Sequence, residues 1–445
     1  MKKRSLEQCG EPSNPRHPDD PPVTVAIEAM GAQGHGIGRV DGGKIFIPCT
    51  LPGETVRVEL HGQKAVATKI ETPSRSRIEP VCRHFGTCGG CALQHWAEPA
   101  YKEWKQGLVT SALSRAGINA QIEPLRSYPV SSRRRATFTA RRLGADIELG
   151  YNAMRTHAVI DLEECPILLP QIVSALLHLK DALIAAMPSS GEAKISVTAA
   201  ANGLDCAVEG PRLAPATQAK LVSTLGAAGF IRASWNGELV LLSAQPFVTF
   251  GGVRVAPGPN AFLQAVEACE RDMADWVLDA LSQAHAASGP VCDLFAGLGA
   301  FTFPAARIAA VTAYEESPEA VAGLAAAAKQ AKAIKAVSAI RRDLFRSPLG
   351  PLELNKFTGI IIDPPREGAE AQARALAASK AAAIAMLSCN PASFARDAAI
   401  LISGGFKLSR LAAFDQFRFS AHVEIAGLFE RRRGKKGGLA PALRG

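Results

Sequence analysis

Asp293-Leu294-Phe295-Ala296-Gly297-Leu298-Gly299 decides the fold of this chain. It follows the strand-like run Pro290-Val291-Cys292-Asp293 and leads into an alanine-rich helical stretch. Glycines at such a turn let the backbone approach a ligand closely. Outward from it, strand-like segments at 309–314 and 359–363 alternate with helical segments at 264–284 and 318–331. Alternating β and α segments predict a parallel, doubly wound, Rossmann-like α/β sheet over 261–432. In such sheets ligands bind beyond the carboxyl ends of the strands.

Three sets of residues gather at those predicted ends. Tyr314-Glu315-Glu316 closes the strand one β–α unit after the glycine loop, where an acid suits the two hydroxyls of a ribose. The full dinucleotide glycine set is missing, which disfavours a phosphate. S-adenosylmethionine, with a ribose and no phosphate, fits better. The apolar run 383–387 stops at Ser388-Cys389-Asn390-Pro391, as a core strand bounded by turn residues does. A cysteine there is placed to act as a nucleophile. A lone cysteine more often packs as a small hydrophobe, but Asp363-Pro364-Pro365-Arg366 ends the preceding strand and argues for a shared pocket. Near the C-terminus stand Phe417, Ser420, His422, Val423 and Glu424. A carboxylate beside a thiol nucleophile would serve as a general base, although Glu424 alone would read as a surface acid.

The N-terminal part differs. Short alternating runs at 23–27, 44–47, 55–60 and 65–70 are broken by glycines, which predicts a small β-barrel over 23–75. Residues 71–80 read as a polar linker. Cys82, Cys88 and Cys91 follow, with Gly89-Gly90 between the last two and Cys165 as a distant fourth. Four thiolates suit zinc or an iron–sulfur cluster. A three-plus-one set leans away from zinc, which favours two close pairs. Helices are predicted at 101–116 and 170–187, within an α+β middle domain over 76–260.

Composition narrows the class. The chain has 445 residues, 47% hydrophobic and 20% charged, with a net charge of +9. No apolar run reaches the roughly 18 residues of a membrane span. Residues 1–22 have no apolar signal core and read as a disordered leader, so the cytoplasm is expected. Ten cysteines in that setting argue for metal or catalytic use over disulfides. Arg133-Arg134-Arg135, Arg141-Arg142 and a basic tail over 433–445 are candidate contacts for a nucleic-acid backbone.

Taken together, these motifs resemble the RNA 5-methyluridine methyltransferases, most of all the branch acting on 23S ribosomal RNA. Ala32-Gln33-Gly34-His35-Gly36-Ile37-Gly38-Arg39 and Leu51-Pro52-Gly53-Glu54 look like the TRAM module, an OB-like RNA-binding barrel. The resemblance implies an iron–sulfur middle domain and a C-terminal class I methyltransferase domain. It makes Cys82, Cys88, Cys91 and Cys165 ligands of a [4Fe-4S] cluster. Gln264 (in Phe262-Leu263-Gln264), Phe295, Glu315 and Asp363 become contacts to S-adenosylmethionine, Cys389 the nucleophile and Glu424 the base. Glu-x-Ser-Pro favours Glu315 over Glu316. Val266, Ala300 and Arg418 depart from residues usual in the family. The implied partner is RNA, most of all 23S ribosomal RNA, with a monomer and no membrane. Methylation of transfer RNA and a non-catalytic RNA-binding factor are the alternatives.

Overall fold

A computed structural model of the chain describes residues 22–61 and 64–431. The expected leader, save Pro22, and the basic tail lie outside the described residues. The N-terminal strands are β1 (Val23–Ala26), β2 (Ala29–Met30), β3 (Gly36–Val40), β4 (Gly43–Ile47), β5 (Thr55–His61) and β6 (Lys64–Thr72). They pair as two three-stranded sheets, β1-β5-β6 and β2-β3-β4. Val25, Ile27, Ile47, Val56 and Val58 form their shared core. Glycine is needed where β3 crosses β1, since a Cβ on Gly38 would fall 2.3 Å from the Val25 side chain. The expected linker is anchored: Arg77 donates to the buried Glu54 carboxylate at 2.6 and 2.8 Å.

Next come α1 (Glu98–Arg115), β7 (Arg126–Ser127), β8 (Arg135–Leu143), β9 (Asp146–Gly150), α2 (Pro170–Ala186), β10 (Ser190–Ala200), β11 (Gly203–Glu209), α3 (Pro215–Ala227), β12 (Phe230–Trp235) and β13 (Glu238–Leu242). Six of these strands form a mixed sheet, β13-β12-β11-β10-β8-β9. Helix α2 starts with Pro170, whose missing N–H costs nothing in a first turn. It buries Ile172, Leu176, Leu179 and Leu183 against Phe138, Ile195 and Val197 of the sheet. Two elements of this span serve the next sheet instead. Helix α1 packs Val109 and Leu113 into the core around Phe394 and Ala398, and β7 pairs in parallel with residues 414–415.

The remaining elements are β14 (Val248–Phe250), β15 (Val253–Val255), α4 (Glu267–Gln283), β16 (Val291–Leu294), α5 (Thr302–Ala306), β17 (Val311–Glu315), α6 (Pro318–Gln330), β18 (Val337–Arg341), α7 (Pro351–Leu354), β19 (Gly359–Ile362), α8 (Glu370–Ala377), β20 (Ala383–Ser388), α9 (Pro391–Ser403), β21 (Phe406–Asp415) and β22 (Glu424–Arg431). The sheet order is β18-β17-β16-β19-β20-β22-β21-β7. Strands β16 to β20 are parallel and the strand order reverses at β16, which opens a crevice beside it. Strands β16, β19 and β20 are buried at every position, as strands covered on both faces are. The sheet is nevertheless mixed, which corrects the all-parallel expectation. Strands β21 and β22 form a hairpin, and β22 inserts antiparallel between β20 and β21.

Candidate active site

The glycine loop sits at the carboxyl end of β16. Phe295, Gly297 and Gly299 have φ of 62°, 55° and 94°. A Cβ on Gly299 would meet the Phe303 ring at 2.8 Å, whereas one on Gly297 would meet nothing within 4 Å. The loop is therefore tight on its protein side and open on the other. Glu315, at the end of β17, accepts the Gly297 and Ser317 amides at 2.9 Å each. Glu316 is exposed, so Glu315 is the acid that faces the loop. The Phe295 ring lies 5.3 Å from that of Phe345. Asp293 is fully buried; its Oδ2 accepts from Thr302 at 2.5 Å and its Oδ1 has no partner. Burial, opposed by Thr302 and reinforced by Asp363 and Glu315, pushes its carboxyl up to about 7.

Cys389 lies between β20 and α9. The motif around it has a local logic. The Asn390 side chain caps α9 by accepting the Ala392 amide at 3.0 Å, and Pro391 takes the first turn. The antiparallel insertion of β22 supplies what the motif lacks. Ser388 pairs with Ile425 at the end of the ladder, which brings the next residues, Cys389 and Glu424, close enough for the Glu424 charge to act on the thiol. Glu424 is buried, and its Oε1 accepts from Gln416 Nε2 at 3.0 Å. The same Gln416 nitrogen donates to Gln264 Oε1 at 2.6 Å, and Gln264 Nε2 reaches Asp363 Oδ2 at 3.5 Å. One polar chain thus runs from Glu424 through Gln416 and Gln264 to Asp363.

This pocket is rich in acids. Burial, then the nearby Asp363 charge, pushes Glu424 up to about 8, against smaller opposing effects of Gln416 and Lys105. Burial alone pushes Asp363 up to about 7. The Cys389 thiol rises to about 11 through burial, then the Glu424 and Asp363 charges, against Arg366. A thiol of lowered pKa is the more usual nucleophile. Here the free protein holds the thiol neutral.

The four cysteines 82, 88, 91 and 165 line one cavity of about 140 Å³, with Tyr151, Arg133, Phe417 and Ser420 also in its wall. Arg83 gathers the distant member. Its amide donates to Glu164 at 2.7 Å and its guanidinium to Glu163, which draws Cys165 toward Cys82. The Gly89 amide donates to Asn152 O at 3.0 Å, and the Gly90 amide to Cys88 Sγ at 3.4 Å. The expected ligand set is not drawn together as a metal centre: among the described residues, no group of three or more His, Cys, Asp or Glu side chains could hold a metal ion. Burial and, more weakly, the neighbouring thiols push Cys88 up to about 11 and Cys91 up to about 12. No disulfide joins the described cysteines.

The arginine patch divides. Arg134 is buried, donating to Glu270 at 2.7 Å and to Gln264 O at 3.1 Å, so it holds the site together and is withdrawn from solvent. Arg141 is engaged by Glu192 and His157 O. Arg133 and Arg135 lie over the Phe417 and Phe262 rings at 5.6 and 5.7 Å, and Phe262 is itself 69% exposed. Among the family departures, the Val266 amide donates to Gln416 Oε1 at 3.3 Å, and Arg418 donates to Tyr128 O at 3.0 Å.

Gln416, Lys105, Tyr101 and Asp415 escaped the sequence reading. Only Lys105 carried a signal. It sits four residues from both Tyr101 and Val109, on the face of α1 that is otherwise buried and apolar.

Comparison with known proteins settles the family. A curated "uncharacterized RNA methyltransferase" of Rhizobium meliloti is 42% identical over 92% of this chain and 99% of its own length. The 23S rRNA (uracil(1939)-C(5))-methyltransferase RlmD of Halomonas elongata is 32% identical over 91% of this chain and 89% of its own. The chain belongs to the RNA uracil-C5 methyltransferase family. Within this methyltransferase, the tRNA (uracil-5-)-methyltransferase family model matches residues 256–433 and the TRAM model residues 22–64. The fold agrees with the crystal structure of the Pyrococcus abyssi tRNA (uracil-54, C5)-methyltransferase in complex with S-adenosyl-L-homocysteine. The TM-score is 0.70 at 19% identity, over 91% of this chain and 99% of that one. No helix among the described residues is long and apolar enough to cross a membrane.

Proposed function

We propose that this methyltransferase modifies uridine C5 in 23S ribosomal RNA through a covalent adduct between Cys389 and C6 of the base. The single observation that carries the reading is the β20–β22 pairing, which ends at Ser388 and Ile425 and brings the buried Glu424 carboxylate near the thiol. Uracil C5 is a poor nucleophile. Addition of the Cys389 thiolate to C6 moves the ring π electrons toward the C4 oxygen and makes C5 enolate-like. S-adenosylmethionine, when bound, supplies the methyl cation that C5 takes up. Glu424 then removes the C5 proton. That electron pair re-forms the C5–C6 double bond and expels the thiolate.

The residues fit the cofactor. Glu315 retains acceptor capacity for ribose hydroxyls, Gly297 leaves space beside Phe295, and Gln264 and Asp363 border the same crevice. A sulfonium charge beside Asp363 and Glu424 would favour the ionised forms of both and of Cys389. Two buried and two half-buried thiols around a shared cavity suit a [4Fe-4S] cluster better than a single ion, and metal binding would draw off their protons. We assign it a structural role.

The target base leaves its stack to reach Cys389. We assign the module at 23–75 to RNA backbone contacts, the span 76–260 to the cysteine site and RNA contacts, and 261–432 to catalysis, in a cytoplasmic monomer. The relative acting on 23S ribosomal RNA is 32% identical to this chain, against 19% for the transfer RNA enzyme, which supports ribosomal RNA as the substrate.

The test is anaerobic incubation with S-adenosylmethionine and either undermethylated ribosomal RNA or transfer RNA, with 5-methyluridine read by nucleoside mass spectrometry. Product in ribosomal RNA that is lost in Cys389→Ala is the expected result. Product only in transfer RNA overturns the substrate, and none in either overturns the activity.

A further inference from the structure

Lys105 is fully buried, and its ammonium group has three donors to satisfy. It spends them on both ends of one loop: the Asp415 carboxylate, Phe417 O at 3.1 Å and His422 O at 2.7 Å. That loop, 416–423, joins β21 to β22 and ends on Glu424. Asp415 uses its other oxygen to accept from Tyr101 Oη at 2.8 Å. The Tyr101 oxygen in turn accepts the Phe419 amide at 2.9 Å. Phe419 has φ of 63°, a conformation unfavourable for a bulky residue unless its surroundings hold it. They do so from the other side as well: Phe419 O accepts the Ala92 and Leu93 amides at 2.8 and 3.1 Å. Arg418 adds a bond to Glu98, at the start of α1, at 3.2 Å.

The hairpin loop is therefore held from outside the catalytic sheet, by α1 and by the chain just after Cys91. A charge buried this deeply is costly unless every donor is used. Here every donor is used on that loop or on Asp415, the last residue of β21 before it.

We propose that Lys105, with Tyr101 and Asp415, is the positioning device for Glu424: it fixes loop 416–423 so that the carboxylate meets the C5 proton of the adduct. The inference rests on Glu424 being the base. Cys389 is set by β20 and the cap of α9, so its addition to the uracil depends only weakly, through the Glu424 charge, on the loop. Removal of the C5 proton does depend on it. The two halves of the reaction should thus separate when the clamp is loosened. The same loop lines the cysteine cavity through Phe417, Arg418 and Ser420, so the clamp also joins that site to the base.

The experiment compares wild type, Lys105→Met, Tyr101→Phe and Glu424→Gln on a uridine RNA with S-adenosylmethionine. It measures the rate at which a denaturant-resistant protein–RNA adduct forms and the rate at which it resolves to free 5-methyluridine RNA. Tyr101→Phe keeps the ring and leaves the Lys105–Asp415 pair intact, so it tests the clamp in a folded protein. Loss of the base in Glu424→Gln should slow resolution about a hundredfold or more. The clamp variants should form adduct within about twofold of wild type and resolve it about tenfold to a hundredfold more slowly, as for a base about 1 Å out of position. If Glu424→Gln does not accumulate adduct, the assignment of the base fails. If it does, while the clamp variants resolve at the wild-type rate or lose both steps in equal proportion, the positioning role is overturned.

Discussion

Replacing Glu424 by Gln should stabilise the protein, and by an amount that depends on pH. Burial and the Asp363 charge raise the folded pKa of Glu424 from 4.5 to about 8. A group raised on folding contributes most below its unfolded pKa, and that contribution is lost as pH climbs through the folded value. Glu424 therefore weighs increasingly against the fold as pH climbs above about 4.5, and the cost levels off beyond about pH 8. Glutamine keeps a carbonyl oxygen for the Gln416 bond and never ionises. Each pKa unit is worth about 1.4 kcal/mol, so the variant should gain about 3 kcal/mol at pH 7 and approach about 5 kcal/mol at pH 9, with little difference at pH 4.5. Urea unfolding of both proteins at pH 4.5, 7 and 9, followed by the fluorescence of the four tryptophans, of which Trp276 lies in the catalytic core, measures it. A stability difference that stays flat with pH would refute the reasoning, because uniform gain or loss points to packing and not to the buried charge.

Resolution of the covalent adduct should accelerate between pH 6 and 8 as Glu424 sheds its proton, and a rate already level at pH 6 would contradict the raised value. Alkylation of Cys389 in the free protein should rise about tenfold per pH unit beyond pH 8, since its thiol titrates near 11; a plateau at pH 8 would mean an activated thiolate. Gly299→Ala should cost about 1–3 kcal/mol and weaken S-adenosylmethionine binding, because the methyl lands 2.8 Å from Phe303 at a φ of 94°; calorimetric titration and unfolding both read it. Arg134→Ala leaves Glu270 buried without its partner and should cost about 3–5 kcal/mol, whereas a loss below 1 kcal/mol would return Arg134 to the surface patch.

Much of the fold was legible because its signals are local. The helix expected at 170–187 is α2, and the loop after β16 turns as its glycines require. The loop also faces the acid that the Glu-x-Ser-Pro pattern selected, Glu315. The arginine run misled, because a charge pattern does not say which member finds a buried carboxylate. Arg134 met Glu270 from a different strand–helix pair.

By itself the sequence determined the alternation of strands and helices, the tight turn at Gly297 and Gly299, and the cap that leaves Cys389 at a strand end. Each follows from residues within a few positions of one another, where backbone preference and side-chain capping act. Only the tertiary structure decided what lies near Cys389. Glu424 comes near it because β22 inserts antiparallel beside β20, a pairing between chain segments far apart in sequence whose register is set by packing the whole sheet. The same holds for Cys165 beside Cys82 and for Lys105 beneath the hairpin loop. Their partners are chosen by which buried charges and donors must be satisfied once the layers close, and no local pattern carries that information.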